Sequence, residues 1–162
     1  NITAKNVMYY TPGSGFTLVF NDLLRQMMVL QCTPGNEMHD KWMIRGAACF
    51  GKIVYDPRST ARHIRYENSV TAEDAGNTNL LIHFVKDELL SDTAIKAKEY
   101  LKYYYDVFSE KMSKSDRETM EVFIKEPAGF FGWLRKVLYP HRLRMRLSGE
   151  LALRFLFLLG KI

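Results

Sequence analysis

The chain has 162 residues, 47% of them hydrophobic and 13% aromatic, which is enough to bury a core and excludes an intrinsically disordered chain. Lys and Arg number 23 against 18 Asp and Glu, a net charge of +5, and two cysteines, Cys32 and Cys49, exclude a disulfide framework and a thiolate metal site. The basic excess gathers at one end: Arg135, Lys136, Arg142, Arg144, Arg146, Arg154 and Lys161 face a single acid, Glu150.

Residues 1–5 lack the apolar stretch of a secretion signal, and no apolar run approaches the ~20 residues that span a bilayer. Together with unpaired cysteines this points to a reducing cytoplasm. Position 1 is Asn rather than Met, so the chain is expected to be a piece of a longer protein.

Residues 7–10 predict a short strand, 11–15 a Pro/Gly loop, and the β-branched and aromatic run 16–20 a second strand. Asn21-Asp22 caps a helix whose Leu23, Leu24, Met27 and Met28 share a face. Pro34-Gly35-Asn36 turns the chain. A helix over 40–50 follows, with Trp42, Met43, Ala47 and Phe50 on a buried stripe. Gly46 allows close approach of another element, and Gly51 stands where a C′ glycine ends a helix. Residues 53–55 predict a third strand before Asp56-Pro57.

Beyond residue 70 the period becomes helical. One helix is expected within 78–90. Another, capped by Ser91-Asp92, carries Ile95, Leu101, Tyr104, Tyr105 and Phe108. Ser115 to Glu118 reads as a capping box opening a further helix. Helices over 130–138 and 147–159 are separated by Pro140. The chain thus reads as α+β and mostly helical, a few short strands with one buried helix in 1–70 and a helical region in 71–162. So few strands fall short of a sheet of about 4 to 6. Unpaired edges would then favour pairing between copies, a homo-oligomer.

Three segments carry a resemblance. Gly15-Phe16-Thr17-Leu18-Val19-Phe20-Asn21, then His39-Asp40-Lys41-Trp42, then Phe50-Gly51-Lys52-Ile53-Val54-Tyr55-Asp56-Pro57 stand in the order found in family-2 glycosyltransferases of the GT-A type. The basic, leucine-rich residues 144–160 resemble the ending of rhamnosyltransferase-like members. The chain resembles the acceptor-side, C-terminal half of such an enzyme, with a partial GT-A core and a helical extension.

The resemblance implies inverting transfer of a sugar from a nucleotide-sugar donor to a saccharide or lipid-linked hydroxyl acceptor, in surface polysaccharide biosynthesis. Asp40 takes the general-base position, where a carboxylate must come within about 2.6–3.2 Å of the attacking hydroxyl. Gly15, Thr17, His39 and Trp42 take substrate-binding positions. A divalent cation, Mg²⁺ or Mn²⁺, belongs to the intact enzyme. This chain has no Asp-x-Asp pair to hold one, so it is expected to be inactive alone.

Tyr66 stands where the family has a histidine and Ile64 where it has an arginine. His63 is a nearby histidine, with Arg62 and Arg65 beside it, and no metal ligand is assigned. Glu73-Asp74 lies in a polar linker. The basic, aromatic C-terminal region implies peripheral association with the inner face of a membrane, with no nucleic acid expected. The competing reading is a non-enzymatic basic helical module that binds anionic membrane or nucleic acid.

Overall fold

A computed structural model of the chain describes residues 2–29, 39–59, 61–62, 64, 93–145 and 147–162. A 3-10 turn at Gly15–Thr17 precedes α1 (Asp22–Val29) and α2 (His39–Phe50). Then come α3 (Thr93–Phe108) with a 3-10 turn at Ser109–Lys111, α4 (Lys114–Ile124), α5 (Gly129–Val137) and α6 (Leu147–Leu158).

Local chemistry explains several of these boundaries. Asn21 starts α1 by accepting a hydrogen bond on Oδ1 from the Leu24 amide at 3.0 Å. The N-cap of α4 is Ser113, two residues before the Ser115 expected from sequence. The Ser113 hydroxyl accepts from the Asp116 amide at 3.1 Å and donates to the Asp116 carboxylate at 2.8 Å. α6 ends in a left-handed glycine, Gly160 at φ 64°. There the Lys161 amide reaches the Leu156 carbonyl and the Gly160 amide reaches that of Phe157, both at 3.1 Å. Gly51 closes α2 differently: its amide donates to the Ala47 carbonyl at 3.0 Å, and its φ is not positive.

The expected α+β class is corrected to all-α: among the described residues there is no strand and no sheet. Each expected strand has a different fate. Residues 7–9 are buried, but as an irregular segment docked on the helical core after a turn over 4–6. Residues 15–17 wind into the 3-10 turn, and Leu18 is extended (φ −94°, ψ 126°) with no ladder beside it. Val19 is 99% exposed, and Val54 and Tyr55 are likewise exposed. A β-rich sequence becomes a strand only when a neighbour takes its backbone hydrogen bonds, and here no neighbour does. Strand-edge pairing between copies therefore has no element to act through among the described residues. The expected turn at 34–36 and helix at 78–90 lie outside the described residues.

One apolar cluster gathers residues from both sides of position 70: Ala4, Met8, Met28 and Trp42 with Leu101, Phe123, Leu143 and Phe157. Packed pairs α1–α2, α3–α4, α4–α5 and α5–α6 surround it. Three charged side chains are also buried, Arg45, Lys136 and Glu150. The Arg45 guanidinium donates to the Met8 carbonyl at 3.3 Å and lies 5.8 Å from the Tyr104 ring centroid. Lys136 lies 5.6 Å from the Phe157 ring centroid, and burial pushes its ammonium down to about 8.

Gly46 is where α1 and α2 meet closely. A Cβ there would sit 2.5 Å from the Met28 sulfur and 3.2 Å from a Leu24 methyl. Met28 is itself buried, so its side chain has little room to retreat. Gly46→Ala is expected to cost about 1–3 kcal/mol by overpacking, read as a lower urea midpoint at unchanged m-value.

Candidate functional site

Two of the motif segments meet at the start of α2. The loop ending in the 3-10 turn lays Gly15 against the His39 imidazole so closely that a Cβ at Gly15 would collide with Nε2. A larger residue at position 15 would have to displace the exposed imidazole. Thr17 sits across the same loop, its hydroxyl donating to the Ser14 carbonyl at 2.7 Å. That bond tightens the turn rather than aiming the hydroxyl outward.

Asp40 follows His39 in the first turn of α2 and is half-buried. Its Oδ1 accepts from the Lys41 amide at 2.8 Å, and among the described residues no cation pairs with its carboxylate. The second oxygen makes no hydrogen bond to a described residue. A carboxylate with one oxygen anchored and the other uncommitted is suited to take a proton from a hydroxyl.

Trp42 is placed differently. It is 2% exposed, its ring packs against Tyr104 and Phe108 at centroid distances of 5.0 and 5.5 Å, and its indole donates to the Met28 carbonyl at 3.3 Å. Its faces are filled by protein, so it anchors α2 and offers no platform for a sugar ring. Gly15, His39 and Asp40 are thus brought together at one helix start, with Thr17 in the adjoining turn and Trp42 beneath them in the core.

Beside this helix start an open cavity of about 370 Å³ is lined by Tyr9, Tyr10, Thr11, Lys41, Arg144 and Ser148 among others. Lys41 is the variable residue inside His-Asp-x-Trp, and Arg144 belongs to the basic C-terminal cluster. Sequence reading counted both as charge without placing them here. Lys41 was legible only as the residue after Asp40; the return of Arg144, Ser148 and Gly149 to the same place depends on tertiary packing. Two cationic side chains among several hydroxyl-bearing residues suit an anionic or polyhydroxylated ligand.

Nothing else among the described residues competes as a reactive centre. Burial pushes the Cys49 thiol up to about 12, which leaves it protonated and inert near neutral pH. No group of three or more His, Cys, Asp or Glu among the described residues could hold a metal ion. Arg62 and Ile64 are exposed. His63, Arg65, Tyr66 and the Glu73-Asp74 pair lie outside the described residues. No helix among the described residues is long and apolar enough to cross a membrane. No protein-family profile, curated protein or solved structure matches the chain.

Proposed function

We propose that this chain carries the base-bearing, acceptor-side part of an inverting glycosyltransferase, with Asp40 as the general base. The observation that carries the reading is the close approach of Gly15 to His39 at the start of α2, immediately beside a half-buried Asp40 free of ion pairing among the described residues. Gly15 and His39 lie in separate motif segments, and their contact is what a shared site requires of them. The mostly helical fold neither supplies nor demands a nucleotide-binding sheet within this chain, so the donor would be held by a further portion of polypeptide.

In this reading an acceptor hydroxyl lies against Asp40, which removes its proton as the oxygen attacks the anomeric carbon from the face opposite the nucleotide diphosphate. The bond from oxygen to carbon forms as the bond to the diphosphate breaks, the configuration inverts, and the proton ends on the carboxylate. Lys41 and Arg144, across the adjoining cavity, supply positive charge for an anionic substrate group. A cytoplasmic enzyme of surface polysaccharide assembly would meet both donor and acceptor.

The test joins this chain to a nucleotide-binding half and assays transfer from a nucleotide sugar to a hydroxyl acceptor. Asp40→Asn is expected to lower kcat by about 100-fold or more while the donor KM stays near wild type. Activity within a few-fold of wild type removes Asp40 from the role.

A further inference from the structure

The C-terminal helical pair shows a surface that its own packing does not explain. α5 is fixed to α6 from one side: the Trp133 indole donates to the Phe157 carbonyl at 3.0 Å, and Lys136 is buried over the Phe157 ring. In its first turn, Phe130 is 66% exposed although it stacks on Trp133, and Phe131 is 83% exposed. α6 behaves in the same manner. Leu153, Leu156 and Phe157 face the core, whereas Leu147, Leu151, Phe155 and Leu158 are exposed. Those four positions are spaced four, four and three apart, so they form a single stripe along the helix. Six large apolar side chains on two adjacent helices exceed the scattered exposure ordinary on a soluble surface.

Charge decides what covers this face. From residue 135 onward the sequence carries seven Lys and Arg against one acid. That acid is withdrawn from the surface: the Glu150 carboxylate is buried and bound to Arg154 and to the Leu143 and Arg144 amides. Arg135, Arg142 and Lys161 are exposed. The outward side of the pair is therefore apolar with a basic margin and no exposed carboxylate of its own. Two copies meeting through it would bring like charges together. A nucleic acid would meet the basic margin but leave the leucines and phenylalanines in water.

We infer that the outward side of the α5–α6 pair is a seat for the surface of a lipid bilayer bearing anionic headgroups. Phe130, Phe131 and the α6 stripe enter the boundary between headgroups and acyl chains, and the basic margin meets the phosphates. At 12 residues, α6 is about 18 Å long, short of the ~30 Å apolar thickness, so it lies in the plane of the membrane rather than across it. The inference is independent of the transferase reading, since no residue of the α2 start takes part.

The test is flotation of the full chain with vesicles of phosphatidylcholine alone and of phosphatidylcholine containing a minority of phosphatidylglycerol. Binding to the mixed vesicles is expected to exceed that to the neutral ones by about tenfold or more. Replacing both phenylalanines, Phe130→Ser with Phe131→Ser, is expected to lower partitioning about tenfold or more, with an unchanged far-ultraviolet spectrum because both side chains are already exposed. Arg135→Gln is expected to lower binding to the mixed vesicles about fivefold and leave neutral vesicles unaffected. A second readout needs no substitution. Of the two tryptophans, Trp133 lies beside Phe130 at 5.7 Å while Trp42 is in the core, so brominated lipid should quench part of the emission.

Three results overturn the inference. One is absence of binding to mixed vesicles; another is binding that survives loss of both phenylalanines. The third is a dimer that needs those phenylalanines and ignores vesicles, which would assign the face to a second copy.

Discussion

Trp42→Ala is expected to remove about 3–5 kcal/mol of folding stability, among the largest effects of any single substitution in the chain. The ring is in contact with α3 on one side and α1 on the other. It packs 5.0 Å from Tyr104, 5.5 Å from Phe108 and 6.0 Å from Tyr103, centroid to centroid, and its indole donates to the Met28 carbonyl. Truncation opens a cavity among aromatic side chains that cannot collapse into it, and deprives Met28 of a buried donor. A domain of this size is stable by only about 5–15 kcal/mol, so the variant would be partly unfolded at physiological temperature. Trp42→Phe should recover more than half of the loss, because it restores most of the ring contact but not the donor. Urea titration followed by circular dichroism measures both. A Trp42→Ala variant within about 1 kcal/mol of wild type would mean that the ring is outside the core.

Glu150→Ala is expected to cost about 3–5 kcal/mol through a different mechanism. One carboxylate oxygen accepts from the Leu143 and Arg144 amides, both at 2.8 Å, and the other takes the Arg154 guanidinium at 2.7 Å. Arg154 in turn donates to the Val137 and His141 carbonyls, so a single buried pair ties α5, residues 141–144 and α6 together. Removing the acid strands a half-buried cation and two amides at once. Arg154→Met in the Glu150→Ala background should then cost less than Arg154→Met alone, which a double-mutant cycle checks directly. Because the pair is largely screened from solvent, the loss should change little between low and high salt, in contrast to the exposed Asp22–Arg25 pair at 2.6 Å.

The helices among the described residues were readable from the sequence because their signals are local. Asn21 before an apolar face, the 40–50 stripe and Pro140 between two helical periods each act within a turn or two of the chain. The N-cap of α4 was placed two residues late because Ser113 and Ser115 both precede an acid at the right spacing. The hydroxyl that found an amide is the one at Ser113.

The three expected strands failed for a nonlocal reason. Val19, Val54 and Tyr55 have the side chains of a strand, yet a strand takes its stability from a neighbour that the local sequence does not name. The candidate site divides in the same way. His39 and Asp40 at a helix start could be read from their motif, whereas the seating of Gly15 on the imidazole is a tertiary contact. Trp42 belongs to the same motif, and its spacing alone did not separate a core ring from a binding platform; the α3 aromatics, about 60 residues further on, decide that.

The Tyr139 hydroxyl donates to the Lys5 carbonyl at 3.2 Å, and the Asn6 amide group to the Arg142 carbonyl at 3.4 Å, across separations of 134 and 136 residues. A polypeptide emerging from the ribosome must therefore hold Ala4, Met8 and Tyr9 unsatisfied until the last helices have been synthesised. Joining such remote stretches incurs a long loop closure, so the core is completed only once residues 139–158 have been made. Through that interval these apolar side chains have only part of their final packing.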